Sequence, residues 1–79
     1  MVDRQTLIDA ILAFLDIHGE AFGRDIRAVI GTIGWRGTGA AFYGLMDRLE
    51  QDGYVEGFYA PRDVLGQEFM QRKYRRHFW

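Results

Sequence analysis

Between positions 3 and 17 the apolar residues recur every three or four places. Leu7, Ile8, Ile11, Leu12, Phe14 and Leu15 therefore fall on one broad helical face. Asp3 stands where an N-cap belongs, and Gly19 in "HGE" supplies a left-handed stop. A shorter second helix is predicted over 23–30, with Ile26, Val29 and Ile30 inward and Arg24, Asp25 and Arg27 on its other side. "GTIGWRG" then reads as a loop that tucks Ile33 and Trp35 into the core. Thr38 is the N-cap of a third helix over 38–52, striped by Phe42, Leu45, Met46 and Leu49 and ended by Gly53.

After Gly53 the period falls to two. "YVEGFY" predicts a strand over about 54–59, with Val55 facing inward and Glu56 outward. "MQRKYRRHF" predicts a second over about 70–78, placing Met70, Arg72, Tyr74, Arg76 and Phe78 on one face. Between them "APRDVLGQEF", with the chain's single proline, reads as a long loop at the tip of a hairpin.

Composition narrows the possibilities. A chain of 79 residues is expected to be one domain, 1–79, and 48% hydrophobic residues can build its core without staples. There is no cysteine, so disulfide and thiolate chemistry are excluded. No apolar run approaches the roughly 20 residues of a membrane span, and no signal-peptide pattern opens the chain. The expectation is a cytoplasmic protein without a membrane partner. The net charge of −1 conceals an asymmetry: Met1 to Gly53 carry five basic and eight acidic residues, whereas Tyr54 to Trp79 carry five basic and three acidic. The helical body is acidic and the hairpin basic.

Three helices followed by a hairpin is the order of a winged helix-turn-helix domain, an α+β fold that is mainly α. Such domains place the second helix of the helix-turn-helix pair in the major groove, which makes double-stranded DNA the expected partner. The segment "GAAFYGLMDRLEQDGYVEG" sharpens this order into a resemblance. It is similar to the core of PadR-like transcriptional regulators, in which a small-residue helix start, a tyrosine and an "LxRLExxGxV" run lead into the wing. Tyr43, Leu49, Glu50, Gly53 and Val55 stand at the matching positions, with Met46 where leucine is usual. "GEAFGRDIRAVI" resembles that family's entry into the second helix, and "QRKYRRHF" its return strand. The resemblance implies a winged-helix regulator of transcription. It does not imply the family's dimer, because the dimerisation helices beyond the wing have no counterpart in this sequence. Arg76 also follows Arg75 where the family has an apolar residue. A phage or mobile-element protein is compatible with this form.

The candidate DNA contacts follow from charge and position. Arg36 and Thr38 precede the third helix, whose free N–H groups and positive dipole end form a phosphate seat. Small residues such as Ala40 let the helix approach a duplex closely or pack against the second helix. Tyr43 lies at the edge of the apolar stripe, with its hydroxyl in reach of solvent or phosphate. On this helix only Arg48 and Gln51 have base-reading chemistry, and both lie far from its start. Arg62, Arg72, Lys73, Arg75 and Arg76 form the basic patch, as phosphate contacts or as protection of strand edges. Phe78 and Trp79 either fold back on the first helix or seal a homodimer. Asp16, His18 and Glu20 straddle a helix end and do not converge as metal ligands require, so no metal, cofactor or catalytic site is expected. Two functions are carried forward: a DNA-binding regulator, and a winged-helix module that binds protein, such as a small phage protein acting on a host factor.

Overall fold

Local signals start and stop each helix. In α1 (Arg4–His18) the Asp3 carboxylate accepts from the Thr6 N–H at 2.8 Å and from its hydroxyl at 3.1 Å. These bonds, the backbone one foremost, hold its pKa below the ordinary carboxylate value. Leu7, Ile11 and Leu15 are buried, with Ile8, Leu12 and Phe14 packed beside them. The computed structural model describes residues 2–77, so the expected fates of Phe78 and Trp79 lie outside the described residues.

The helix α2 (Gly23–Thr32) buries Ile26 and Ile30 and runs two residues past its predicted end. Its exit explains why Trp35 packs inward while Ile33 is 44% exposed, against the expectation that both would enter the core. Trp35 N–H donates to the Ile30 carbonyl at 3.1 Å and Gly34 N–H to that of Gly31 at 3.3 Å. This is a Schellman reversal with Gly34 at φ +105°. It folds the residue after the glycine back onto the helix and leaves the cap residue outside. Trp35 then meets Phe42 edge-on at 6.1 Å. The helix α3 (Gly39–Gln51) opens on Thr38, whose hydroxyl accepts from Ala41 N–H at 3.1 Å, and buries Phe42, Met46 and Leu49. The same reversal ends it, with Tyr54 N–H on the Leu49 carbonyl at 2.9 Å and Gly53 N–H on that of Glu50 at 3.1 Å.

The sheet departs further from expectation. Glu20–Phe22 form a short strand, β1, that no periodicity announces. The hairpin strands β2 (Val55–Val64) and β3 (Gln67–Arg76) are each ten residues long. The expected loop "APRDVLGQEF" is therefore almost entirely strand. Only Leu65 and Gly66 turn, at φ +53° and +81°, the signs of a type I′ hairpin. Pro61 is tolerated because β2 is an edge strand in the antiparallel order β1-β3-β2. Among the described residues, three helices and a three-stranded antiparallel sheet make the fold α+β.

Register builds the seat of the core around β3. Tyr74 lies between Ala21 of β1 and Gly57 of β2, so the fully buried ring is flanked across the sheet by two small residues. A third small residue, Gly23, closes over it. A Cβ there would meet Tyr43 at 3.1 Å and Tyr74 at 3.2 Å.

Two substitutions check these local statements by thermal melting. Leu65→Asn should stabilise by about 0.5–1 kcal/mol, because asparagine tolerates positive φ and leucine does not. That corresponds to a Tm rise of roughly 2–8 °C for a domain of this size, and an unchanged or lower Tm would contradict the turn geometry. Gly44→Ala should stabilise by about 0.5–1 kcal/mol, since nothing lies within 4 Å of the added methyl in this helix interior.

Candidate nucleic-acid interface

The five hairpin cations expected to hold phosphate are each paired within the chain. Arg62 reaches Asp25 of α2 through two contacts of 3.3 and 3.4 Å, and its guanidinium lies 5.0 Å from the Phe22 ring centroid. Lys73 pairs with Glu20 at 3.3 Å and also covers Phe22. Arg75 sits between Glu56 at 3.0 Å and Glu20 at 3.7 Å, over Phe58. Arg76 crosses to Asp16 of α1 at 3.0 Å and donates to the Tyr54 carbonyl at 3.2 Å. The acidic body and the basic hairpin thus neutralise each other.

Arg72 forms, with Glu50, the most enclosed of these pairs. It donates to Glu50 of α3 at 2.9 Å, while the other Glu50 oxygen accepts from Gly57 N–H at 3.1 Å. The guanidinium crosses directly over Gly57, where a Cβ would come within 2.6 Å of it. Glycine at this position lets α3 and the hairpin share one carboxylate. Arg72 also lies against Tyr59 and Tyr74, at 5.3 and 5.6 Å from their centroids.

The cations left over are elsewhere. Among the described residues, Arg24, Arg27 and Arg36 form no ion pair and are exposed, as is Arg4 at the start of α1, which lines a separate hollow against α3. Arg27 donates to the Gly37 carbonyl at 3.3 Å, and its guanidinium lies 3.2 Å from where a Gly39 Cβ would stand. It therefore guards the amino end of α3. Arg36 donates to the Gly31 carbonyl at 3.4 Å. These three arginines rim an open hollow of about 430 Å³ floored by Ala28, Gly31 and Trp35. At the adjoining end of α3, Thr38 caps Ala41, and Ala40 is exposed in the first turn.

Of the expected contacts, Arg36, Thr38, Ala40 and Tyr43 thus belong to one region, and the hairpin set does not join them as free charge. Arg24 and Arg27 join this region without being among the expected contacts. Their three-residue spacing on the outer face of α2 was visible, but whether Asp25 neutralises them was not. Asp25 is turned to Arg62 instead.

A second hollow lies between α3 and the hairpin. Tyr43, Asp47, Tyr59, Arg72 and Tyr74 line a cleft of about 440 Å³. A neighbouring hollow of about 390 Å³ shares Tyr43 and Arg72 and adds Arg24, Arg27 and Gln71. The Tyr74 hydroxyl is buried without a hydrogen-bond partner among the described residues, a defect that costs about 1–3 kcal/mol. Burial pushes its phenol pKa up. The neighbouring Arg72 guanidinium draws it down, and Asp47 and Tyr43 raise it further. Asp47 forms no ion pair or hydrogen bond among the described residues.

Among the described residues no three His, Cys, Asp or Glu side chains gather as metal ligands, and no helix is long and apolar enough to cross a membrane. In comparisons with known proteins, no family model and no curated sequence matches this chain.

The shared carboxylate is open to test. Gly57→Ala should displace Arg72 from Glu50 and lower stability by about 1 kcal/mol, since the pair is only partly screened by solvent. In a Glu50→Gln background the same substitution should cost less. Equal losses in both backgrounds would show that the two groups are not coupled.

Proposed function

We propose that this chain is a winged helix-turn-helix domain that binds nucleic-acid duplexes, as its resemblance to PadR-like regulators implies. The element order supports the fold reading: a short strand sits between the first two helices and pairs with the second strand of the terminal hairpin. The observation that carries the functional reading is a group of three arginines without an ion pair among the described residues, Arg24, Arg27 and Arg36, beside the amino end of α3. Free cations at a helix start suit a phosphate backbone, because the first N–H groups and the dipole add to the side-chain charge. The hairpin cations contribute less to this surface, since a phosphate would have to displace a carboxylate from each.

On this reading α3 approaches the major groove by its small-residue start and the arginines fix its register on the backbone. Sequence selectivity is modest, with Tyr43 as the nearest side chain able to reach a base edge.

A second reading has its own observation at the hairpin tip. Leu65 is fully exposed at positive φ, and Asp63 stands directly across from Glu68, like charges in register. Both features cost stability locally, and an apolar tip flanked by carboxylates suits a protein partner better than DNA.

Titration with random duplex DNA separates the two. Three neutralised phosphates predict that affinity falls about 40-fold between roughly 50 and 200 mM salt. Replacing Arg24, Arg27 and Arg36 by Gln should remove most of that slope, about one unit per residue, whereas Arg75→Gln should leave it nearly unchanged. Absence of duplex binding even at low salt would overturn the nucleic-acid reading and leave the protein-binding one.

A further inference from the structure

Tyr74 carries an unsatisfied hydroxyl that a phenylalanine of the same shape would not. Tyr74 lines the cleft between α3 and the hairpin together with Tyr43, Asp47, Tyr59 and Arg72. Asp47 is a carboxylate with no ion pair or hydrogen bond among the described residues, and Arg72 has guanidinium N–H groups beyond the one given to Glu50. The cleft thus sets two donors, Arg72 and Tyr74, near one vacant acceptor, Asp47. Tyr59, which is 65% exposed, and Tyr43, 40% exposed, add ring faces.

We propose that this cleft binds a guanine base, either of a free guanine nucleotide or of an unpaired guanine in a strand. A carboxylate is best satisfied by two parallel N–H donors. Guanine alone among the four bases offers that pair, N1–H beside N2–H, while O6 and N7 on its other side accept from Arg72 and the Tyr74 hydroxyl. Tyrosine rings supply the stacking on which unpaired bases are held. The neighbouring hollow shares Tyr43 and Arg72 with the cleft and brings in Arg24 and Arg27, which seat the phosphate attached to the base. The Tyr74 hydroxyl is buried before the base enters, so binding requires rearrangement of the exposed side chains at the cleft, a motion of nanoseconds. Binding within a strand rests on the nucleic-acid reading above; binding of the free nucleotide does not.

Calorimetric titration of the whole chain tests this with four probes: GMP, AMP, an oligothymidine, and the same oligothymidine carrying one central guanine. GMP should bind at least about tenfold more tightly than AMP, and the guanine oligonucleotide more tightly than its parent, by a similar factor. Asp47→Asn should reduce that preference to about twofold or less. Tyr74→Phe should raise Tm while weakening GMP binding, a combination that a merely structural tyrosine does not produce. Arg24→Gln with Arg27→Gln should weaken both GMP and AMP and keep their ratio. Equal binding of GMP and AMP, or a Tyr74→Phe variant that melts higher with GMP affinity unchanged, would overturn the proposal. If neither GMP nor the guanine oligonucleotide is preferred while random duplex DNA binds with the salt slope given above, the cleft falls and the nucleic-acid reading stands. If GMP is preferred over AMP while no duplex or strand binds, that reading falls and the cleft stands.

Discussion

Tyr74, buried in the middle strand of the sheet, is the constraint around which the other elements are placed. A ring that large fits there only because both cross-strand neighbours, Ala21 and Gly57, are small and because Gly23 begins α2 directly above it. One side chain thereby ties β1, β2, α2 and, through Tyr43, α3 to a common centre. The space at Gly57 that admits the ring also admits the Arg72 guanidinium, which carries the hairpin's charge across to Glu50. Close packing of this kind leaves little tolerance for an added methyl at either glycine.

The arrangement of charge follows from the same architecture. Folding the basic hairpin against the acidic helices brings Asp16, Glu20, Asp25 and Glu50 within reach of Arg76, Lys73, Arg62 and Arg72. Each of these half-exposed pairs contributes about 0–1 kcal/mol to stability. Their larger effect is on the surface field. The cations that the sequence concentrates in the hairpin are spent internally, and the positive charge without an ion pair among the described residues lies on the outer face of α2, in the loop before α3 and at Arg4. A functional reading based on the net charge of segments points to the hairpin; one based on uncompensated charge points to α2.

How much of this was legible depends on the range of the interaction involved. The boundaries of α1 and α3 follow from caps that act within four residues, and Asp3, Thr38 and Gly53 do what their residue types suggest. The hairpin tip misled because Pro61 signals a break only where its missing N–H is needed, and an edge position removes that need. β1 was invisible: three residues carry no period, and Glu20–Phe22 are a strand only because β3 runs alongside. Ile33 and Trp35 are both apolar and two residues apart, so composition alone could not separate them. A hydrogen-bonded reversal did.

In the candidate interface the local part was again the readable part. Arg36, Thr38, Ala40 and Tyr43 adjoin because one helix start gathers them. Arg24 and Arg27 matter because Asp25 turns toward Arg62, 37 positions away, and no spacing in the sequence reports that choice. The sequence by itself determined the helices, their caps, the apolar stripes and the change of period at Gly53, since each rests on neighbours within a turn or two. The tertiary structure decided which charges are free, which tyrosine is buried and what faces it. Ion pairs and core seats join residues whose separation along the chain carries no trace of their contact.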